Sequence, residues 1–171
     1  MVLSDRDIIS RVEQGDLTIT PYERDNVEPA SVDLRLGSDF KVAQRYREDE
    51  IDWKEVAERA VLYPEDFVLA TTKERIELPE MLAARVVGRS SLGRLGISVH
   101  QTAGYVDPGF EGQITLELTN HSPRPFELEQ GQRICQIVFE RLSIPPRQTY
   151  GHEGSQYQDQ SGATESGMDF E

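Results

Sequence analysis

An all-β fold is predicted by three observations. Short runs of alternating apolar residues recur along the chain, turns rich in Gly, Pro, Asp and Asn separate them, and helical signals are few. The 171 residues are enough for one hydrophobic core, and a second core is not expected. With 37% hydrophobic residues, 13 glycines and 9 prolines, the composition is globular and turn-rich. The expectation is a single closed or sandwiched β domain over 1–171, ending in a polar tail at 145–171.

Ser4-Asp5-Arg6-Asp7 precedes Ile8, Ile9 and Val12, so Ser4 caps a short helix with Asp7 in the reciprocal place, and Gly15 ends it. Leu17 and Ile19 suggest a short strand. From Ser31 to Leu36, Val32, Leu34 and Leu36 share one face while Ser31, Asp33 and Arg35 share the other. Gly37-Ser38-Asp39 reads as a turn. Arg45 to Arg59, the most charged stretch, reads as a surface excursion anchored by Trp53, with a helical turn over Trp53–Ala57.

Strand signals then recur at 67–71, 82–87, 97–100, 114–119, 126–128 and 134–139. The tail from Pro145 is polar with few apolar anchors. Alone it reads as disordered; the alternative is a tail that orders over a ligand.

The formal charge of −13 disfavours general nucleic-acid binding but leaves room for a small phosphorylated ligand with a local basic cluster or a divalent cation. No apolar run is long enough to span a membrane. The N-terminal segment lacks a secretory pattern, and Cys135 is the single cysteine, which fits a reducing cytoplasm.

Three segments could carry chemistry. The first, Gly88-Arg89-Ser90-Ser91-Leu92-Gly93-Arg94-Leu95-Gly96, packs two hydroxyls and two guanidiniums together. Such groups suit phosphate oxygens, and a helical turn starting at Ser90-Ser91 would add free amides. The plainer reading is a Gly-rich turn with two surface arginines. It is not a Walker A loop, because the lysine and the glycine spacing are missing.

The second segment runs from Thr102 to Gly112, where Asp107 precedes Pro108. Asp107 could bind a sugar hydroxyl, bind a metal-held water, or cap its own turn. In the third, Ile114 to Asn120, Glu117 stands between Thr115 and Thr119 on one strand face. That face is either solvated or lines a cleft, where the carboxylate could shuttle protons near neutrality. One cysteine cannot supply a zinc deaminase signature, so no zinc is expected, and no G-x-S-x-G elbow supports a serine triad.

Together these segments resemble the dCTP deaminase branch of the trimeric dUTPase family. The matching stretches are PASVDLRLG at 29–37, GRSSLGRLG at 88–96, HQTAGYVDPGFEGQITLELTN at 100–120 and GQRICQIVF at 131–139, with Tyr150-Gly151 and Tyr157–Gln160 in the tail. The resemblance implies a distorted β-barrel or jelly-roll-like homotrimer with short peripheral helices and active sites shared between subunits. It implies zinc-independent deamination of dCTP to dUTP and ammonia, with Mg2+ accompanying the triphosphate and dTTP as a candidate inhibitor.

In relatives of this kind the residue matching Glu117 activates water for attack at cytosine C4. Ser90, Arg94 and the Ala103 carbonyl match groups that hold the water and fix the glutamate. Arg89, Ser90 and Ser91 match phosphate-binding positions. Asp107 matches the carboxylate on the deoxyribose 3′-hydroxyl, and Gln101 and Thr102 the backbone that reads the pyrimidine. Tyr150 and Gln160 match a phosphate-contacting tyrosine and a glutamine that closes over the base.

Gln156 stands where relatives usually carry Lys, and Ser161 where many carry Arg, which predicts weaker triphosphate binding. Gly104-Tyr105 is nearer the pattern of bifunctional relatives that also release pyrophosphate and give dUMP. A dUTPase without deamination and a non-catalytic nucleotide-binding trimer are the rival readings.

Overall fold

The computed structural model describes residues 1–46, 51–151 and 155–167, with backbone only at 45 and 46. In chain order come α1 (Asp5–Gln14), β1 (Thr18–Thr20), β2 (Val27–Glu28), β3 (Ser31–Tyr46), β4 (Ile51–Ala57), β5 (Arg59–Leu62) and β6 (Phe67–Glu77). Then follow β7 (Leu82–Gly88), α2 (Ser90–Gly93), β8 (Ile97–Ser98), β9 (Tyr105–Val106), β10 (Glu111–Asn120), β11 (Phe126–Glu129) and β12 (Arg133–Arg141). Ten strands form one curled sheet in the order β8-β10-β6-β3-β12-β7-β9, with β1 on β6 and both β2 and β4 on β3. β5 and β11 pair separately. Among the described residues no helix is long and apolar enough to cross a membrane.

Helix α1 forms as the capping signals predict. Ser4 Oγ accepts from the Asp7 N–H at 3.3 Å, and the Asp7 carboxylate accepts from the Ser4 N–H at 3.2 Å. Hydrogen bonds from the Ser4 side chain first, and from its backbone second, hold the Asp7 carboxyl below the usual carboxylate range. Gly15 closes the helix at φ 78°, where only glycine is unstrained.

Strand β3 binds the sheet together. Its first half pairs with β12 (Val32 opposite Ile137), and its second half pairs with β6 and β4 (Phe40 opposite Ala70 and Val56). The turn expected at Gly37-Ser38-Asp39 is not a turn. The strand continues through it, and the register slips between Leu36 and Phe40. A Cβ at Gly37 would lie 2.6 Å from Thr71 Cγ2, so the glycine permits close backbone approach at a bulge.

The helical turn expected over Trp53–Ala57 is strand β4 instead, paired along β3 from Asp39 opposite Ala57 to Ala43 opposite Trp53. Trp53 and Val56, three apart, fit a helix face better than strand alternation. The long free edge of β3 decides between them by supplying backbone partners. Residues 47–50 of the expected surface excursion lie outside the described residues. Trp53 does anchor its strand, with its ring 5.9 Å from Phe67.

The core is made by alternation. Leu34, Leu36, Phe40, Leu116, Leu118 and Phe139 are fully buried, each contributing roughly 1.5–3 kcal/mol of transfer free energy. Charge also enters the interior, as pairs. Arg35 Nε donates to Glu74 Oε1 at 2.7 Å, its backbone N–H to Glu74 Oε2 at 2.8 Å, and a second guanidinium nitrogen meets Glu23. Asp33, wholly buried, meets Arg89 and Arg133 at 3.3 Å each and accepts from Gln136 at 3.0 Å.

Candidate active site

On β10 the alternation puts Ile114, Leu116 and Leu118 into the core and Gln113, Thr115, Glu117 and Thr119 on the other, half-buried face. That face is partly covered. The loop after β8 folds over it: the Glu117 N–H donates to Val99 O at 3.2 Å, and the Gln101 N–H donates to Glu117 Oε2 at 2.9 Å. One carboxylate oxygen is thereby fixed by a backbone donor, and Gln101 Nε2 also reaches Thr119 Oγ1.

Glu117 lines a cavity of about 410 Å3 together with Ala103, Asp107, Tyr150 and Gln160. Its walls add Trp53 of β4, Phe67 and Leu69 of β6, Val86 of β7, Thr115 of β10, and Tyr157 and Thr164 of the tail. The chemistry on offer is an apolar, aromatic slot with carboxylates at Asp107, Glu117 and Glu165. Among the described lining residues there is no Lys, Arg or His.

Gly104 explains how the loop reaches the cavity. Its carbonyl accepts from the Val86 N–H at 2.7 Å, and a Cβ there would stand 2.8 Å from Val86 O and 3.0 Å from His100 Nε2. Only a residue without a side chain lets the loop press this closely on β7 before Tyr105-Val106 pair with it.

The basic segment lies elsewhere. Ser90-Ser91 do begin a helical turn, α2, so their amides have no partner within it. Ser90, Ser91 and Arg94 are exposed, and Arg89 is held by buried Asp33. None of the four lines the cavity of its own chain. Gln101 and Thr102 are exposed at the cavity's rim-forming loop.

Gln156 is exposed, with its amide 3.4 Å from Gly167 O, and it too is outside the cavity lining. The described part of the tail is ordered against the strand carrying Glu117. The Gln113 N–H donates to Gln160 O at 3.0 Å, and the Thr164 N–H donates to Thr115 Oγ1 at 3.2 Å.

Sequence reasoning did not find Trp53, Phe67 and Leu69 as cavity walls. Each is an alternating strand residue, and only the pairing of β4, β3 and β6 brings them to one slot. Tyr157 had a signal, since it lies in the tail motif quoted above.

A family model described as dCTP deaminase-like matches residues 2–142. A Halobacterium salinarum protein named "dCTP deaminase, dUMP-forming" is 49% identical, over 95% of this chain and 92% of its own. A Natronomonas pharaonis protein named "dCTP deaminase" is 50% identical over the same shares. A Dictyoglomus thermophilum protein, also named dUMP-forming, is 49% identical over 100% of this chain and 96% of its own.

Among solved structures, the 2′-deoxycytidine 5′-triphosphate deaminase of Agrobacterium tumefaciens aligns with TM-score 0.67 and 27% identity. The match covers 82% of this chain but only 48% of that longer one. A mutant dUTPase from phage phi11 of S. aureus, whose structure concerns a structural Mg(II) ion, aligns with TM-score 0.55 over 77% of this chain and 94% of its own; at 14% identity it speaks for the fold alone. The family model over most of the chain, with relatives 49–50% identical along nearly its whole length, makes this chain a member of the dCTP deaminase-like family.

Proposed function

We propose that this chain hydrolyses the exocyclic C–N bond of dCTP, with Glu117 as the proton shuttle. The observation that carries the reading is the held carboxylate. Glu117 Oε2 takes the Gln101 N–H inside an aromatic slot, leaving the other oxygen for water. Glu117 removes a proton as that water attacks C4, then delivers it to N3. Glu117 next carries the proton of the C4 hydroxyl to the amino nitrogen; the C4–N bond breaks as the C4 carbonyl forms, so dCTP and one water give dUTP and ammonia.

The Ala103 carbonyl is in reach of the same slot. Asp107 is suited to the deoxyribose 3′-hydroxyl, and Tyr150 and Gln160 close the cavity's tail side. Because the Gln101 N–H is committed to Glu117, base reading falls to the Gln101 carbonyl and the Thr102 backbone.

Phosphate binding needs cations, and the described residues lining this cavity include none. We assign it to Arg89, Ser90, Ser91 and Arg94 of a neighbouring copy in a homotrimer, with Ser90 and Arg94 also steadying the water. Magnesium enters as part of the substrate, on the phosphates. A reducing, cytoplasmic setting belongs to the same reading, supported by a lone buried cysteine whose thiol is pushed up by burial.

A second step is favoured by relatives named dUMP-forming, and Gly104-Tyr105 resembles the pattern of bifunctional relatives. Asp107 would orient another water toward the α-phosphorus, breaking its bond to pyrophosphate and giving dUMP.

The test is product analysis with Mg2+ and either dCTP or dUTP. Ammonia from dCTP supports deamination, and pyrophosphate with dUMP from dCTP supports both steps. Pyrophosphate from dUTP alone leaves a dUTPase, and binding without turnover leaves a sensor; either removes the reading.

A further inference from the structure

We propose that Gln113 is a positioning residue that fixes the tail over the cavity, in register with Glu117. The inference rests on the deaminase reading for its kinetic consequence, but not for its structural one.

The starting point is a defect in the sheet. Pairing of β10 with β6 slips between Gln113 and Thr115. The Ile114 N–H turns to Thr72 Oγ1 at 2.9 Å instead of a ladder partner. A bulge of this kind frees backbone groups and re-aims side chains. On the other edge of β10, the Gln113 N–H goes to Gln160 O at 3.0 Å, and Gly112 bridges Gln160 in parallel.

The Gln113 side chain completes the junction. Its Nε2 donates to Thr72 O at 2.8 Å, which fixes the amide's orientation. Its Oε1 then faces the tail, accepting from the Gly162 N–H at 3.0 Å and Ser161 Oγ at 3.4 Å. Two residues on, Thr115 takes the Thr164 N–H. Two further on stands Glu117. Two residues of one strand face thus set the tail beside the carboxylate of a third, with successive side chains about 7 Å apart. Arg75, 2.7 Å from Asp159, adds a half-exposed ion pair that contributes little by itself.

A glutamine that merely satisfied the bulge would need only its Thr72 bond. The acceptor contacts to Ser161 and Gly162 are the part that acts on the tail.

Two full-length variants separate the roles. Q113M keeps the bulk and removes both polar ends; Q113E keeps an acceptor for the tail. Amide hydrogen exchange is read over 158–164, with Val68, Leu69 and Ala70 of β6 as control, beside kcat and KM for dCTP with Mg2+. Q113M should speed tail exchange roughly tenfold with the control unchanged, and raise KM roughly five- to tenfold with kcat within about threefold. Q113E should stay within about threefold of the parent in tail exchange. The proposal is overturned if Q113M leaves tail exchange or KM as in the parent, if β6 exchange rises equally, or if Q113E opens the tail as far as Q113M. A parent protein that releases no ammonia sinks the deaminase reading instead, while exchange still decides the latch.

Discussion

Two regions of this one sheet differ in charge. Where β10 and β6 meet the loop after β8, the cavity has aromatic walls and three carboxylates. Where β3, β7 and β12 pair, buried Asp33 gathers Arg89 and Arg133, and α2 presents Ser90, Ser91 and Arg94 outward. Each region is locally consistent: Arg89 and Arg133 are held by a buried acid, and the acids of the cavity border an aromatic slot. Among the described residues, neither brings the aromatic slot and the arginines together. A phosphate 4 Å from a carboxylate is repelled by about 1–4 kcal/mol between bulk-water and near-surface screening. In the proposed homotrimer, the two kinds of surface would complement each other between copies of the chain.

The largest expected effect tests the carboxylate region. E117Q keeps the shape and the bond from the Gln101 N–H but cannot carry the proton. Ammonia release should fall by about 10²–10⁴-fold while nucleotide binding, followed by calorimetry, persists. Undiminished release would remove Glu117 from its role.

The same variant then tests the comparison itself. R89A should lose phosphate affinity in its own homo-oligomer. Mixed with E117Q after dissociation and random reassembly, it should restore about a quarter of parental activity, because a site built from two subunits is intact only when each neighbour supplies its unaltered half. Activity no greater than the two variants give separately would place both halves in one subunit.

R35M strikes the element common to both regions. It leaves Glu74, only 1% exposed, without its cation. Breaking a buried pair from one side costs about 3–5 kcal/mol, so thermal unfolding should move down by roughly 6–20 °C for a domain of this size. Loss confined to one region's binding, with unchanged Tm, would contradict the view of β3 as the shared spine.

How much of this could be read from residues alone differs between the same two regions. Alternation in 114–119 is local, so the two faces of β10 were legible. Which face was wet was not, because that depends on the loop carrying Gln101 returning across the strand. The α2 turn was legible from Ser90-Ser91, but its distance from Glu117 within one chain was not. Gly37 misled because glycine marks bulges as well as turns, and the choice is made by Thr71 on a distant strand. The Trp53 segment misled because an edge of β3 outweighs a weak local preference. The tail's ordering was hidden for the same reason: its partners are Gln113 and Thr115, far away in sequence.

The smallest expected effect concerns the replaced basic residue. On charge alone, Q156K would gain a charged hydrogen bond worth about 1.5–3 kcal/mol, or roughly 10- to 150-fold in affinity. The observed position reduces that figure. Gln156 is exposed, outside the cavity, and turned toward Gly167 O. A lysine there would meet phosphates through solvent, where an ion pair is worth about 0.2–1 kcal/mol and is screened by salt. Q156K should therefore tighten triphosphate binding by no more than about fivefold, and the gain should vanish by about 1 M salt. Titration calorimetry at low and high ionic strength reads both. A gain of a hundredfold that survives salt would mean the lysine reaches a desolvated phosphate, and would move the tail of one copy into the basic half of the site.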